Sequence, residues 1–267
     1  MNKSIGIMGC GWLGLPLASS LVEDGYRVHG STTSNEKVKS LEEKGIRPFV
    51  ISLHEQAIDG DIYDFLQQME VLVLNVPPKL RSGAGENYVK KMELLHSEIK
   101  KSAVRKIIFI SSTSVYGTVD GKVTEETTPV PITESGKQLF RAETLFYTDA
   151  DLQTTVVRFG GLIGPDRHPI TMLTGKKGLS NGNAPINLIH LNDCIHIIKA
   201  IFLNSWYDEI INGVYPYHPT KRQYYGEEAR KRNLQEPDYQ EDTEEKSKII
   251  VPKTLLTVKN YKFTTSL

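Results

Sequence analysis

The chain has 267 residues, with 32 Lys and Arg against 32 Asp and Glu, and it is 39% hydrophobic and 24% charged. That balance excludes a disordered chain, and the absence of net positive charge or a basic run argues against a nucleic-acid partner. The two cysteines, Cys10 and Cys194, can build neither a disulfide framework nor a cysteine-ligated metal site, which points to a reducing, cytoplasmic setting and no metal.

The opening segment from Met1 to Ser20 has the outline of a secretory leader, with Lys3, an apolar run and Ala18-Ser19-Ser20. Gly6, Gly9, Gly11, Gly14 and Pro16 break that run, so it is taken as a strand and a glycine turn instead. Ser4 to Met8 has the pattern of a buried strand, and Leu13 to Glu23 that of a helix with Leu13, Leu17 and Leu21 on one face. Next come a strand at Tyr26 to His29, a helix at Asn35 to Lys44 and a strand at Pro48 to Ile51. A short helix at Tyr63 to Met69 precedes a fourth strand, Val71 to Leu74. A long amphipathic helix spans Glu86 to Ser102, followed by a fifth strand at Lys106 to Ile110. A helix at Glu134 to Tyr147 and a sixth strand at Thr154 to Phe159 complete this half. Apolar strands alternating with helices imply parallel pairing and a doubly wound, Rossmann-type α/β sheet.

The character then changes. Gly161 to Asn187 is rich in Gly, Pro and Asn, too irregular for core structure and too long for a simple connection. A helix at Asn192 to Leu203 and a last strand at Ile210 to Tyr215 follow, then a polar tail from Pro216 with an acidic patch at Glu241 to Glu245. No run reaches the roughly 18 apolar residues of a membrane span. The expected organisation is a dinucleotide-binding domain over 1–160 and a small cap over 161–267, interleaved with the last sheet elements.

Gly9-Cys10-Gly11-Trp12-Leu13-Gly14 fits GxGxxG at the place where the pattern has a mechanism, between a first strand and a first helix. Gly9 permits the tight turn, Gly11 lets main-chain N–H groups approach a pyrophosphate, and Gly14 lets the helix close onto the strand. Cys10 is a small filler in that turn. Beyond the second strand lies Gly30-Ser31-Thr32-Thr33-Ser34, with Lys37 nearby and no acid to receive ribose hydroxyls. Ser31, Thr32 and Thr33 can donate to a 2′-phosphate, which favours NADP while leaving NAD open. Asn75, Val76 and Pro77, at the end of the fourth strand, should line the same cleft.

The fifth strand runs into Ser111-Ser112-Thr113-Ser114-Val115-Tyr116-Gly117. Together with the glycine turn, Arg158 to Pro165, Ile189 to Asp193 and Gly213 to Tyr215, this resembles the extended short-chain dehydrogenase/reductases, which include NAD-dependent nucleotide-sugar epimerases and dehydratases. The resemblance spans nearly the whole chain. It implies coenzyme contacts at Ser111 and Gly160 and makes Ser112 the hydroxyl that polarises the substrate oxygen. It also implies a substrate pocket at Thr113, Tyr116, Arg167, His168 and Asn187, with Arg167 available to a nucleotide diphosphate. Asp193 is expected to cap the following helix and His190 to be packed.

One departure stands out. The family's acid–base pair is a Tyr and a Lys four apart on the next helix, commonly with a Glu four residues later. Placing Glu143 on that Glu puts Ser135 and Leu139 where Tyr and Lys should stand. Tyr217 and Lys221 have the spacing, but Pro219 lies between them, beyond the last strand. Tyr116, Lys137 and His168 are the remaining candidates for a substitute acid or base. The chain thus resembles the atypical, epimerase/dehydratase-like branch that lacks the pair. Two readings follow: an NAD(P)-binding oxidoreductase acting on a polar metabolite such as a nucleotide-sugar, or a non-catalytic dinucleotide sensor. Helices Glu86–Ser102 and Glu134–Tyr147 could also join two copies into a homodimer by the same resemblance.

Overall fold

Mainly apolar runs form the strands of the main sheet, and helices cover both of its faces. The structure is a computed structural model and describes residues 4–67, 69–78, 86–241 and 247–267. Lys3, Gln68 of the expected short helix, and Asp242 to Glu245 of the acidic patch lie outside the described residues. The chain begins with β1 (Ser4–Met8), α1 (Gly14–Glu23), β2 (Arg27–Thr32), α2 (Val38–Glu42) and β3 (Arg47–Val50). A hairpin of β4 (Ser52–Leu53) and β5 (Ile58–Asp59) leads to α3 (Ile62–Leu66) and β6 (Val71–Leu74). Then come α4 (Tyr88–Lys101), β7 (Lys106–Ser112), β8 (Gly121–Val123), α5 (Glu134–Tyr147) and β9 (Gln153–Phe159). The remainder comprises β10 (Gly161–Ile163), α6 (Ile170–Leu173), β11 (Leu188–His190), α7 (Leu191–Leu203), β12 (Ile210–Gly213), α8 (Lys221–Lys231) and β13 (Lys248–Ile250).

Seven strands form the main sheet in the order β12-β9-β7-β6-β1-β2-β3, with every pairing parallel. The fold is therefore the doubly wound sheet expected from the alternation of apolar strands and helices. The chain winds outward from β1 to β3, returns to β6 and winds the other way, so the strand order reverses between β1 and β6. In such a sheet a crevice opens at the carboxyl ends of the two strands flanking the reversal.

Each face of the sheet has its own core. Leu17 and Leu21 of α1, Leu41 of α2 and Ile197 and Ile201 of α7 pack on one side. Phe65 of α3, Met92, Leu95 and Ile99 of α4 and Ala142 and Phe146 of α5 pack on the other. Each fully buried side chain of this size contributes about 1.5–3 kcal/mol, so the two layers hold the crevice rigidly. No helix among the described residues is long and apolar enough to cross a membrane.

Three expectations need correction. Gly161 to Asn187 is not devoid of core: Ile163, Ile170 and Ile186 join Leu188, Tyr224, Tyr225 and Tyr239 in a third buried cluster. Within the tail, α8 buries Tyr224, Tyr225, Glu228 and Ala229, and Thr220 caps it by accepting from the Gln223 N–H. Asp193 does not cap α7. That position is His190, whose Nδ1 accepts from the Asn192 N–H at 3.2 Å. The fully buried Asp193 carboxylate instead accepts from the N–H groups and hydroxyls of Thr264 and Thr265, anchoring the last residues to α7.

Candidate coenzyme and active site

The glycine turn between β1 and α1 is built from both sides of the crevice. Gly9 has φ +102°, a region L side chains rarely occupy, and a Cβ there would lie 2.6 Å from the Asn75 carbonyl oxygen. A Cβ at Gly14 would stand 2.1 Å from the Gly9 carbonyl oxygen, so only glycine lets α1 start this close to the turn. Gly11 differs: a Cβ there would meet nothing within 4 Å and would project into open space. Ser31 Oγ accepts from the Gly9 N–H at 2.9 Å, and Asn75 Nδ2 donates to the Gly9 carbonyl at 3.0 Å. Those two side chains pin the turn from β2 and from the residue that follows β6. No side chain caps α1, and within the turn the Leu15 N–H donates to the Gly11 carbonyl and the Gly11 N–H to the Gly9 carbonyl, each at 2.9 Å.

Two adjoining cavities, of about 270 and 290 Å³, share Gly11, Asn75, Val76 and Pro77 and form one trench along the sheet edge. Together they fall in the usual size range of ligand sites, roughly 300–1,000 Å³. The first is lined by Gly9, Ser31, Thr32 and Thr33 with Lys37 and Lys91, the latter ion-paired to Glu86, and no carboxylate is in its lining among the described residues. The second is lined by Trp12, Leu13, Ser111, Ser112, Leu139 and Arg167. Expected coenzyme positions are thus brought together, while Gly14 and Gly160 stand behind the walls. Gly160 packs where a Cβ would sit 2.5 Å from the Asn187 carbonyl oxygen. Cys10 is a buried filler, and burial pushes its thiol up to about 12, which makes it chemically quiet.

The floor beside the second cavity is a buried polar chain. Arg158 on β9 forms an ion pair with Glu143 on α5, donating from Nε at 3.1 Å and from Nη2 at 2.5 Å. Ser111 Oγ donates to the other Glu143 oxygen at 2.6 Å. Arg158 Nη1 donates to the Tyr116 hydroxyl at 3.0 Å, and that hydroxyl donates to Asn212 Oδ1 at 2.9 Å. Burial works against the Arg158 charge, but the Glu143 hydrogen bonds outweigh it and hold the guanidinium above its ordinary value. Burial pushes the Tyr116 phenol up despite the nearby Arg158.

This network corrects the placement of Tyr116, which is fully buried, is committed to Arg158 and Asn212, and lines neither part of the trench. His168 is also buried and lines a separate cavity with Tyr224 and Glu228. Its Nδ1 accepts from the Ile170 N–H, so the neutral ring carries its proton on Nε2, 3.0 Å from the Tyr224 hydroxyl. Lys137 is exposed and lines neither part of the trench. None of the three candidate substitutes therefore stands at Ser112. Ser112 Oγ accepts from the Ser114 N–H at 3.1 Å, and Ser112 lines the second cavity. Leu139 puts an apolar side chain in the same wall.

On the substrate side, Thr113 is nearly buried, and Asn187 braces β13, donating to the Lys248 carbonyl at 2.9 Å and accepting from the Ile250 N–H at 2.7 Å. Asn187 also borders a third cavity, of about 430 Å³, with Lys221 and Lys248. Lys248 escaped the sequence reading. Its ammonium donates to the carbonyls of Thr113 at 3.1 Å and Gly117 at 2.7 Å, and burial holds it below its ordinary value. A lysine inside the short apolar run Lys248-Ile249-Ile250 was the available signal. No group of three or more potential metal ligands exists among the described residues.

The sequence model of the NAD dependent epimerase/dehydratase family matches residues 5–205. Protein YeeZ of Escherichia coli K12 is 34% identical over 251 residues, covering 93% of this chain and 91% of its own. Among solved structures, UDP-glucuronic acid 4-epimerase from Bacillus cereus in complex with NAD superimposes with a TM-score of 0.81 at 18% identity, covering 99% of this chain and 92% of that one. UDP-glucose 4-epimerase from Thermotoga maritima with UDP-glucose gives 0.76 at 19% identity, over 95% and 91%. At such identities the structures speak for the fold alone.

Proposed function

The chain belongs to the NAD dependent epimerase/dehydratase family, and we propose that it seats a nicotinamide dinucleotide in the trench and acts, slowly, on an anionic polar metabolite of the nucleotide-sugar class. The observation that carries this reading is the continuity of the trench from the glycine turn to Ser112, with Lys37 and Arg167 along it and, among the described residues, no carboxylate in its lining. The residues suit the group: a side chain at Gly11 would project into open space beside the glycine turn, where a pyrophosphate would lie, and no side chain caps the start of α1. When bound, the coenzyme supplies a hydride acceptor or donor.

The chain's own residues then divide the work. Thr32, Thr33 and Lys37 suit a 2′-phosphate, so NADP is the favoured coenzyme, with NAD the alternative. Ser112 donates a hydrogen bond to the substrate oxygen and fixes its orientation. Lys221 and Lys248, across the third cavity, suit the negative charge of a nucleotide diphosphate. Proton transfer is the weak point, because Ser135 and Leu139 stand where a phenol and an ammonium would serve. A missing general acid–base costs typically about 10²–10⁴ in rate. The same feature favours a second reading, a sensor that binds coenzyme without turnover. Self-association over α4 and α5 belongs to either reading.

The test is absorbance at the reduced-nicotinamide band, with NADP+ or NAD+ bound and a panel of nucleotide-sugars as hydride donors, and with NADPH or NADH bound and keto forms of the same sugars as hydride acceptors. Slow coenzyme reduction or oxidation that disappears in Ser112→Ala supports the enzyme. Tight coenzyme binding with no turnover of any panel member favours the sensor.

A further inference from the structure

Trp12 lies in the glycine turn, yet its side chain reaches the cap. The indole Nε1–H donates to Asp166 Oδ1 at 2.9 Å, and the Arg167 guanidinium carbon stands 4.9 Å from the ring centroid. Gly164 completes the seat, since a Cβ there would lie 2.8 Å from the indole Cζ2. The turn carrying these residues is braced across its ends: the Gly164 N–H donates to the Arg167 carbonyl at 2.8 Å, and the Arg167 N–H donates back at 3.2 Å.

A guanidinium held over an indole by cation–π attraction keeps N–H donors available to a second partner. Asp166, the nearest acid in sequence, is turned to the indole. Arg167 borders the same cavity as Gly11 and Ser112. A planar fork of donors held there, beside the main chain of the glycine turn, matches two phosphate oxygens. We infer that Arg167, held over the Trp12 ring, is a side-chain anchor for the pyrophosphate of the dinucleotide, so that an occupied coenzyme seat and the cap hold one another in place. Arg167 therefore serves the coenzyme and not the substrate diphosphate. The inference rests on the coenzyme-binding reading above.

The experiment uses the full chain in a Trp206→Phe background, which leaves Trp12 as the remaining tryptophan of the two. NADPH and NADH are titrated by indole emission and by calorimetry, with adenosine 2′-monophosphate, which lacks a pyrophosphate, and UDP as controls. The expected result is that dinucleotide binding changes Trp12 emission. Arg167→Gln should weaken the dinucleotide by about tenfold or more while leaving adenosine 2′-monophosphate and UDP within about twofold, and Arg167→Lys, charged but not a fork, should recover part of the loss. Unchanged dinucleotide affinity in a folded Arg167→Gln overturns the inference. If UDP affinity alone falls, Arg167 belongs to the substrate instead. A parent chain that binds neither NADPH nor NADH would overturn the coenzyme reading itself, a result distinct from either of these.

Discussion

The glycine turn and the segment around Ser112 are neighbours along one trench but are built on opposite principles. At the turn, small residues keep space empty: Gly11 faces open volume, and Ser31 and Asn75 hold the main chain from outside. Around Ser112 the polar groups are satisfied internally, with Ser111, Glu143, Arg158, Tyr116 and Asn212 linked in a buried chain. The first region is ready for a charged ligand. The second is braced internally, with Ser135 and Leu139 at the positions where the family resemblance expects a Tyr and a Lys. A site can therefore keep its binding electrostatics and lose its acid–base chemistry, because the two depend on different atoms.

The comparison can be broken most forcefully at Glu143. Glu143→Leu leaves Arg158 charged and buried without its partner, and a loss of about 3–5 kcal/mol is expected in chemical denaturation. If the two regions are separable, the folded fraction still binds coenzyme. Gly14→Ala attacks the other region. Its Cβ would displace the Gly9 carbonyl, and dinucleotide affinity should fall by roughly a hundredfold, about 2.7 kcal/mol, in calorimetry.

A sharper question is whether chemistry can be restored. Ser135→Tyr with Leu139→Lys should raise reductase turnover by roughly tenfold or more, since Leu139 already lines the trench. No gain in a folded, coenzyme-loaded double variant would mean that α5 does not carry the missing pair at these positions. Lys37→Ala should weaken NADPH about threefold to fivefold relative to NADH, and added salt should shrink the difference.

The smallest expected effect concerns pH. Burial lowers His29 and, aided by Arg232 and against the nearby Glu228, lowers His168. The unfolded chain therefore takes up protons as pH falls through about 6.5 while the folded chain does not, so stability present above that value is lost below it. Between pH 7.5 and 5.5 the melting temperature should drop by about 2–4 °C, and His168→Gln should flatten part of that slope.

The sheet was legible because its strands are apolar runs of the length a doubly covered sheet requires, as Val71 to Leu74 illustrates. Strand β2 ran further than expected, through Gly30-Ser31-Thr32, because Gly30 lets the strand pass beside Cys10 and Ile46, where a Cβ would lie 2.7 Å from each side chain. Helix α8 was hidden by its polarity: its buried face is two tyrosines and a glutamate, with Lys231 and Arg232 on Glu228. Its Thr220-Lys221-Arg222-Gln223 start has the form of a capping box and was a usable signal. In the site, the glycine turn was legible since it is local. The Glu143–Arg158–Asn212 chain was not, because partners on three separate elements leave no periodic trace. Tyr116 looked accessible from its motif and is sealed by those same partners.

Calorimetric titration of the full chain with NADPH and NADH tests the central claim most directly. Saturable binding of one coenzyme per chain, weakened in Gly14→Ala, is the predicted result. No saturable heat with either coenzyme, from a protein that melts cooperatively, would contradict it.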